Sequence, residues 1–130
     1  MSKLNRGFSL VELMVAVAII GIISAIVYPS YTEYVTVSGR AEGHAAVMRV
    51  ANLQEQFYLD NRIYTEDMTD LGLTADPLKT EHEHYSVDSS GTTSFTVTAT
   101  ALGKQAARDT ACATISVTSA GVKSPKECWQ

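Results

Sequence analysis

The distribution of apolar residues divides the chain into two unequal parts. Between Glu12 and Glu33 there are 20 consecutive positions without a charged side chain, and most of them are apolar. An α-helix needs about 20 such residues to cross a hydrocarbon layer roughly 30 Å thick. Glu12 lies inside this apolar run, where an acidic residue costs about 2.5–3.5 kcal/mol at mid-membrane and less near the interface. The run therefore predicts a membrane-length helix that carries one carboxylate in need of a partner.

The helical pattern continues beyond the apolar run. Gly21 has low helix propensity and Pro29 lacks an amide hydrogen, so together they predict a kinked but continuous helix. From about residue 30 to residue 61, small and apolar residues recur at spacings of three and four, which predicts a stripe that faces a core: Gly43, Ala46, Val47, Val50, Leu53 and Phe57. A helix over residues 8–61 is about 80 Å long, so its first half needs lipid or other protein chains around it.

The rest of the chain shows the alternation of β-strands. Residues 85–87, 94–100 and 113–118 alternate with a period of two, and turn signals separate them. A weaker fourth strand is predicted to start at Val122, and residues 61–84 are predicted to form a loop. The strands share one apolar face, which we expect to pack on the helical stripe: Val87, Phe95, Val97, Ile115 and Val117. The predicted fold class is α+β, with a long kinked N-terminal helix against a small antiparallel sheet.

The charges orient the predicted membrane helix. Lys3 and Arg6 precede the apolar run, and the next cation is Arg40. The positive-inside rule therefore places the N-terminus in the cytoplasm and the body of the protein outside it. The formal net charge is −4, which argues against broad electrostatic binding of nucleic acid.

The two cysteines, Cys112 and Cys128, both lie late in the chain. In a cytosolic protein they would be read as two unrelated buried thiols. In a small exported domain a disulfide is favoured, because the compartment is oxidising and the core is small. Such a bridge would stabilise the fold by about 3 kcal/mol in the loop-entropy account.

The sequence carries no arrangement typical of an enzyme or a metal site. Serine, histidine and aspartate occur without a nucleophile motif, and there is no glycine-rich phosphate loop. His82 and His84 alternate and would share a strand face, but no third ligand stands at zinc-site spacing. We therefore expect no catalytic activity, no cofactor and no metal ion.

Three kinds of N-terminal segment begin with a short basic stretch and an apolar run. A secretory signal peptide has an apolar region of 7–15 residues with cleavage after it, and this run is longer. A plain signal anchor has the right length but explains neither Gly7 nor Glu12. The third kind is cleaved before the apolar run, after Gly7, where the lack of a Cβ lets a protease approach the backbone. That cleavage leaves the apolar helix on the mature protein, with a free amine at Phe8.

Residues 7–12, Gly-Phe-Ser-Leu-Val-Glu, resemble the class III signal of type IV pilins and pseudopilins, and the resemblance extends to residue 31. It implies that prepilin peptidase cuts after Gly7 and N-methylates Phe8. It also implies that Glu12 pairs with the terminal amine of a neighbouring subunit during assembly, since a buried charge is tolerable only when it is paired. The alternative is that Glu12 only complements the positive end of the helix dipole.

The resemblance also implies a domain organisation and a function. Residues 1–7 would be the leader, residues 8–29 the transmembrane or filament-core helix, and residues 30–130 the periplasmic pilin domain. Looser similarities to PilE-type minor pilins occur at residues 54–58, 95–100 and 128–129, among others. The implied function is a structural subunit of the type IV pilus, a minor pilin that takes part in pilus assembly, adhesion and twitching motility.

The implied partners are other pilin subunits, prepilin peptidase, the inner-membrane assembly platform, and the bacterial inner membrane before transfer to the surface pilus. A major pilin or a type II secretion pseudopilin is the alternative in the same class. The alternative of another class is a DNA-binding pilin for natural transformation. Its only candidate cations on the sheet and tail are four side chains, for which we expect weak or no binding: Lys104, Arg108, Lys123 and Lys126.

Overall fold

The computed structural model describes residues 6–130, so most of the leader predicted at residues 1–7, including Lys3, lies outside the described residues. Its first element, helix α1, runs over Leu10–Asn61. The helix passes Pro29 without ending, so its predicted continuity is confirmed, while the kink stays a prediction. The chain forms two compact units, of which the first ends at Val35 and the second is Thr36–Gln130.

The second unit contains a five-stranded sheet in which every strand pairs antiparallel with the next one along the chain. The predicted meander is therefore confirmed, with one short strand added on the loop side. The strands are β1 Leu78–Lys79, β2 Tyr85–Ser90, β3 Thr96–Ala101, β4 Thr114–Thr118 and β5 Lys123–Ser124. Helix α2, Gly103–Arg108, follows β3, and 3-10 turns occupy Met68–Leu71, Thr110–Cys112 and Lys126–Trp129.

The core of this unit lies between one face of α1 and one face of the sheet. All five apolar strand positions predicted to face the helix are buried. On α1 the buried positions recur every three or four residues, as a helix requires: Gly39, Gly43, Val47, Val50, Ala51 and Gln54. The predicted stripe is therefore right at its centre, whereas Leu53 and Phe57 at its far end are only half-buried.

Close approach to α1 depends on two glycines. A Cβ built on Gly43 would lie 3.0 Å from the ring of Tyr85, and one on Gly39 would collide with the side chain of Gln105 in α2. Gln105 donates a hydrogen bond to the carbonyl of Thr36 at 3.0 Å. The small residues on α1 therefore admit an aromatic ring of β2 and a polar side chain of α2.

Gln54 is a fully buried polar residue within the apolar core. Its Nε2 donates to the carbonyl of Thr65 and to Oγ of Ser89, 2.7 Å away, and its Oε1 accepts from the amide of Thr65 at 3.1 Å. A buried amide is tolerable only with such partners. Gln54 therefore joins α1 both to the loop that follows it and to β2.

Replacing Gln54 with leucine should destabilise the protein although the volume hardly changes. Groups of Thr65 and Ser89 would lose their buried partner, at a cost of about 1–3 kcal/mol. The measurement is thermal unfolding of the full chain in detergent, followed by near-ultraviolet circular dichroism. Gln56→Leu, at an exposed position of the same helix, is the matched control. An equal loss in both variants would show that the Gln54 contacts do not matter.

Candidate assembly helix and C-terminal surface

Ser9 sets the start of α1. Its Oγ accepts a hydrogen bond from the amide of Glu12, and its carbonyl accepts one from the amide of Leu13, both at 3.2 Å. Serine at the cap followed by glutamate three residues later is the sequence pattern of a capping box. Glu12 thus lies in the first turn, where a negative charge complements the helix dipole. In the uncleaved chain this geometry fits the dipole interpretation of Glu12.

The carboxylate of Glu12 has no internal partner that would occupy it. It is exposed, and within residues 6–130 it makes no hydrogen bond or ion pair. Gly7 is exposed as well, and a Cβ placed on it would meet no atom within 4 Å. Phe8 is 80% exposed. The bond after Gly7 and the charge of Glu12 are therefore both accessible in the free chain.

The first half of α1 presents apolar side chains in every direction. From Phe8 to Val27, each large apolar side chain is at least 51% exposed. An 18-residue window of α1 has a mean hydropathy of 2.8, which is long and apolar enough to cross a membrane. An apolar surface of this extent is expected to be covered by lipid or by another protein.

The C-terminal tail is held by the predicted disulfide. Cys112 and Cys128 are bonded, with their Cα atoms 5.6 Å apart. Cys112 ends the turn before β4, and Cys128 lies in the last 3-10 turn. The bridge therefore ties the fourth strand to the tail.

A buried ion pair lies between α1 and the end of α2. Nε of Arg40 donates to Oδ2 of Asp109 at 2.9 Å, and Nη2 donates to Oδ1 at 2.7 Å. Asp109 is 5% exposed. The hydrogen bonds that Arg40 donates to Asp109, opposed by burial, raise the pKa of Arg40 above its ordinary value. Two parallel bonds of this kind fix orientation as well as distance. This pair was not predicted, because its members are 69 residues apart.

The ring of His44 stacks on the ring of Trp129, with centroids 4.4 Å apart and planes 12° apart. The Nζ of Lys123 lies 5.0 Å from the centroid of the same indole. Trp129 also donates its indole N–H to the carbonyl of Ser124 at 3.3 Å. The tryptophan of the tail is thus paired with His44 of α1.

Glu42 of α1 contacts the loop before β2. Its Oε1 accepts from the amide of His82 at 2.8 Å, and its two oxygens lie 3.3 Å and 3.6 Å from Nδ1 of His82 and His84. Burial opposes ionisation of Glu42, but these contacts outweigh it and lower the pKa. Within residues 6–130, no three His, Cys, Asp or Glu residues are grouped to hold a metal ion.

The four candidate cations for nucleic acid are all exposed. Lys104 and Arg108 are four residues apart on α2 and therefore share a face of that helix. Lys123 lies on β5 beside Trp129, and Lys126 begins the last 3-10 turn. These four cations thus belong to three short elements: α2, which precedes β4 in the chain, and β5 and the last 3-10 turn, which follow it.

The His44–Trp129 contact should make stability depend on pH. Burial lowers the pKa of His44, against a hydrogen bond to the backbone of Cys128 that raises it, and Nε2 is buried without a partner. A group with a lowered pKa contributes stability above its ordinary value of 6.5, and that contribution is lost as the pH falls below this value. We expect His44→Gln to flatten the loss of stability on acidification.

The measurement is the denaturant midpoint of the full chain in detergent between about pH 7.5 and pH 5.5, on either side of the ordinary imidazole pKa. His82→Gln, at a well-exposed ring, is the control. A slope with pH that is the same in the wild type and His44→Gln would contradict the assignment.

Two family models match the chain. One, described as "Type IV minor pilin ComP, DNA uptake sequence receptor", matches residues 29–116. The other, described as "Prokaryotic N-terminal methylation motif", matches residues 2–28. Together they cover the apolar helix, its amphipathic continuation and most of the sheet.

Curated relatives are similar over part of the chain. The type IV major pilin protein PilE of Neisseria gonorrhoeae is 32% identical over 58% of this chain and 45% of its own length. The fimbrial protein EcpC of Eikenella corrodens is 32% identical over 58% and 49%, respectively. The type IV major fimbrial protein FimA of Dichelobacter nodosus is 51% identical over 33% and 27%. The chain therefore spans about half the length of these relatives or less.

A solved structure of a type IV pilin from Shewanella oneidensis has a TM-score of 0.56 with this chain at 21% identity, covering 73% of this chain and 98% of that one. This likeness shows the fold alone, a long N-terminal helix with an antiparallel sheet. The relatives are pilins, and the protein is not an enzyme. Because the pilin family model covers more than half of its residues, the chain belongs to the ComP family of type IV pilins.

Proposed function

We propose that this pilin is stored in the inner membrane and then assembled into a type IV pilus through the first half of α1. The observation that carries the proposal is the apolar surface of that half, which no part of the described chain covers. Lipid would cover it before assembly, and the same half of neighbouring subunits would cover it afterwards. Residues 30–130, which include the second half of α1, would remain in the periplasm and then on the pilus surface.

Processing at Gly7 would give Glu12 its partner. Cleavage after Gly7 by prepilin peptidase creates an amine at Phe8, where the methylation motif would place the methyl group. The carboxylate of Glu12 is exposed and free to bind such an amine on a neighbouring subunit. Inside an apolar filament core, an unpaired carboxylate is strongly disfavoured. Assembly would therefore be favoured only when each Glu12 meets an amine.

We assign the chain to the minor pilins. The matching family model carries that word in its description, whereas PilE and FimA carry the word major and match over a smaller share of this chain. A minor subunit would be required for assembly, adhesion or twitching without forming most of the filament. Pili sheared from cells that carry the gene should consist mainly of another chain, with this one as a small fraction, which mass spectrometry of the sheared pili would detect.

Glu12→Gln should leave membrane insertion intact and reduce incorporation into pili. Breaking a buried charge pair costs about 3–5 kcal/mol, so we expect at least a tenfold lower ratio of sheared-pilus protein to membrane protein. Immunoblots of the two fractions give that ratio. The control is Glu33→Gln, which removes the next carboxylate on the same helix. Normal incorporation of Glu12→Gln would contradict the pairing role.

Capture of DNA is a second candidate function. It is favoured by the description of the family model, which names a DNA uptake sequence receptor. The model match ends at residue 116, so it includes Lys104 and Arg108 but not Lys123 or Lys126. The net charge of −4 argues for a local contact and not a broad one. We place the candidate contact on the four exposed cations.

Neutralising Lys104, Arg108, Lys123 and Lys126 with glutamine should abolish DNA binding if they form the contact. Each phosphate contact contributes about −0.9 to the slope of log K against log salt, so the wild-type affinity should fall steeply as salt rises. Gel shifts of random duplex pools at several salt concentrations measure both quantities. Lys79→Gln, at an exposed position on β1, is the control. Absence of wild-type binding at low salt would eliminate this second function.

A further inference from the structure

Three of the six tyrosines of the chain lie within seven residues of α1. Tyr28, Tyr31 and Tyr34 are 72%, 63% and 73% exposed, respectively. A spacing of three residues on an α-helix turns each ring by about 60° from the previous one, so the three occupy one side of α1. They extend over roughly 9 Å along the helix axis. The three rings, which we call the tyrosine belt, form a short exposed aromatic surface.

The tyrosine belt begins where the apolar run ends. Residues 9–27 contain neither tyrosine nor tryptophan, and the first charge after Glu12 is Glu33. Pro29 has no amide hydrogen, so the carbonyl of Ala25 lacks its usual helical bond. Such a carbonyl costs several kcal/mol in hydrocarbon and little where water reaches it. The carbonyl of Ala25, which needs water, and Glu33, the first charge after the apolar run, thus lie eight residues apart.

The length of the apolar part of α1 agrees with a hydrocarbon layer that ends at the tyrosine belt. From Leu10 to Val27 the helix rises about 27 Å, close to the thickness of a hydrocarbon layer. The next 9 Å, which carry the tyrosine belt, correspond roughly to one headgroup layer. Tyrosine has an apolar ring and a hydroxyl that needs a polar partner, and it is enriched at membrane interfaces for that reason.

We propose that the tyrosine belt anchors α1 in the headgroup region of the outer leaflet and thereby fixes the depth of the helix before assembly. The inference rests on the proposed membrane-stored state and adds the residues that set the depth of α1 in the membrane. Glu12 lies 16 residues before Tyr28, or about 24 Å along the axis. An anchor at one end therefore holds the carboxylate at one level near the opposite leaflet surface. Subunits held alike keep Glu12 of one and the Phe8 amine of another within about one helical turn of each other in depth, since the two residues are four positions apart.

Single tryptophan reporters test this depth assignment. In full chains carrying Trp129→Phe, Tyr31→Trp places a reporter in the tyrosine belt and Ile19→Trp places one in the middle of the apolar run. Each chain is reconstituted at high lipid excess into phosphatidylcholine–phosphatidylglycerol vesicles. The vesicles contain quenchers at the headgroup or deep in the acyl chains. Circular dichroism verifies that each variant folds. If Trp129→Phe does not fold, the reporters are placed in chains that keep Trp129, and the emission of the unmodified chain is subtracted from theirs.

We expect the headgroup quencher to act most strongly on Tyr31→Trp, and the deep quencher to act most strongly on Ile19→Trp. Replacing all three belt tyrosines with leucine should extend the apolar run. The Ile19→Trp reporter should then shift by roughly one helical turn, about 5 Å. Replacing Tyr58, a half-buried tyrosine on the second half of α1 that stacks on Tyr64, with leucine is the control and should leave the reporter where it is.

Two results separate this inference from the function on which it rests. An Ile19→Trp reporter that no lipid quencher reaches would overturn the membrane-stored state and the anchor together. A different pair of results would overturn the anchor alone: the Ile19→Trp reporter lies deep, but the Tyr31→Trp reporter does not lie at the headgroups. The Tyr31→Trp reporter would then be equally deep, or it would be reached by neither quencher because water or a second copy of the chain surrounds it.

Discussion

The structure depends on one constraint, which is that no part of residues 6–130 covers the first half of α1. Its large apolar side chains are all at least half exposed from Phe8 to Val27, and such a surface is not stable in water. Lipid and the same half of other subunits are the two environments that can cover it. In the proposed function the protein passes from the first environment to the second. Glu12, the only charge within the apolar surface, would make that passage selective.

The second unit is stabilised by contacts that tie later segments of the chain to residues 40–54 of α1. The Arg40–Asp109 pair, the Glu42 contacts with the histidine loop and the His44–Trp129 stack all start on this stretch. Gln54 extends the same arrangement to the loop after the helix. The amphipathic half of α1 therefore serves as the platform on which loop, α2 and tail are placed. The disulfide adds a link that does not involve the helix.

Local patterns predicted the elements whose signal is periodic. The period-two segments became β2, β3 and β4, and the centre of the helical stripe, Val47 and Val50, is buried in the core. Helix α2 was missed because it has only six residues and no side-chain cap, so neither periodicity nor a capping residue marks it. Asp109 and Glu42 were missed because their partners lie 69 and 40 residues away. A pair of residues so far apart in the chain leaves no trace in a local window of the sequence.

The N-terminal motif was the most informative stretch of the sequence, since residues 7–12 predicted the family that the comparisons then showed. The cleavage and N-methylation it implies are covalent changes that alter the mass of the chain. Intact mass spectrometry of protein purified from membranes therefore tests the central claim most directly. We predict a chain that begins at Phe8, carries one additional methyl group, and lacks two hydrogens because of the Cys112–Cys128 bond. A chain that still begins at Met1 would contradict the account.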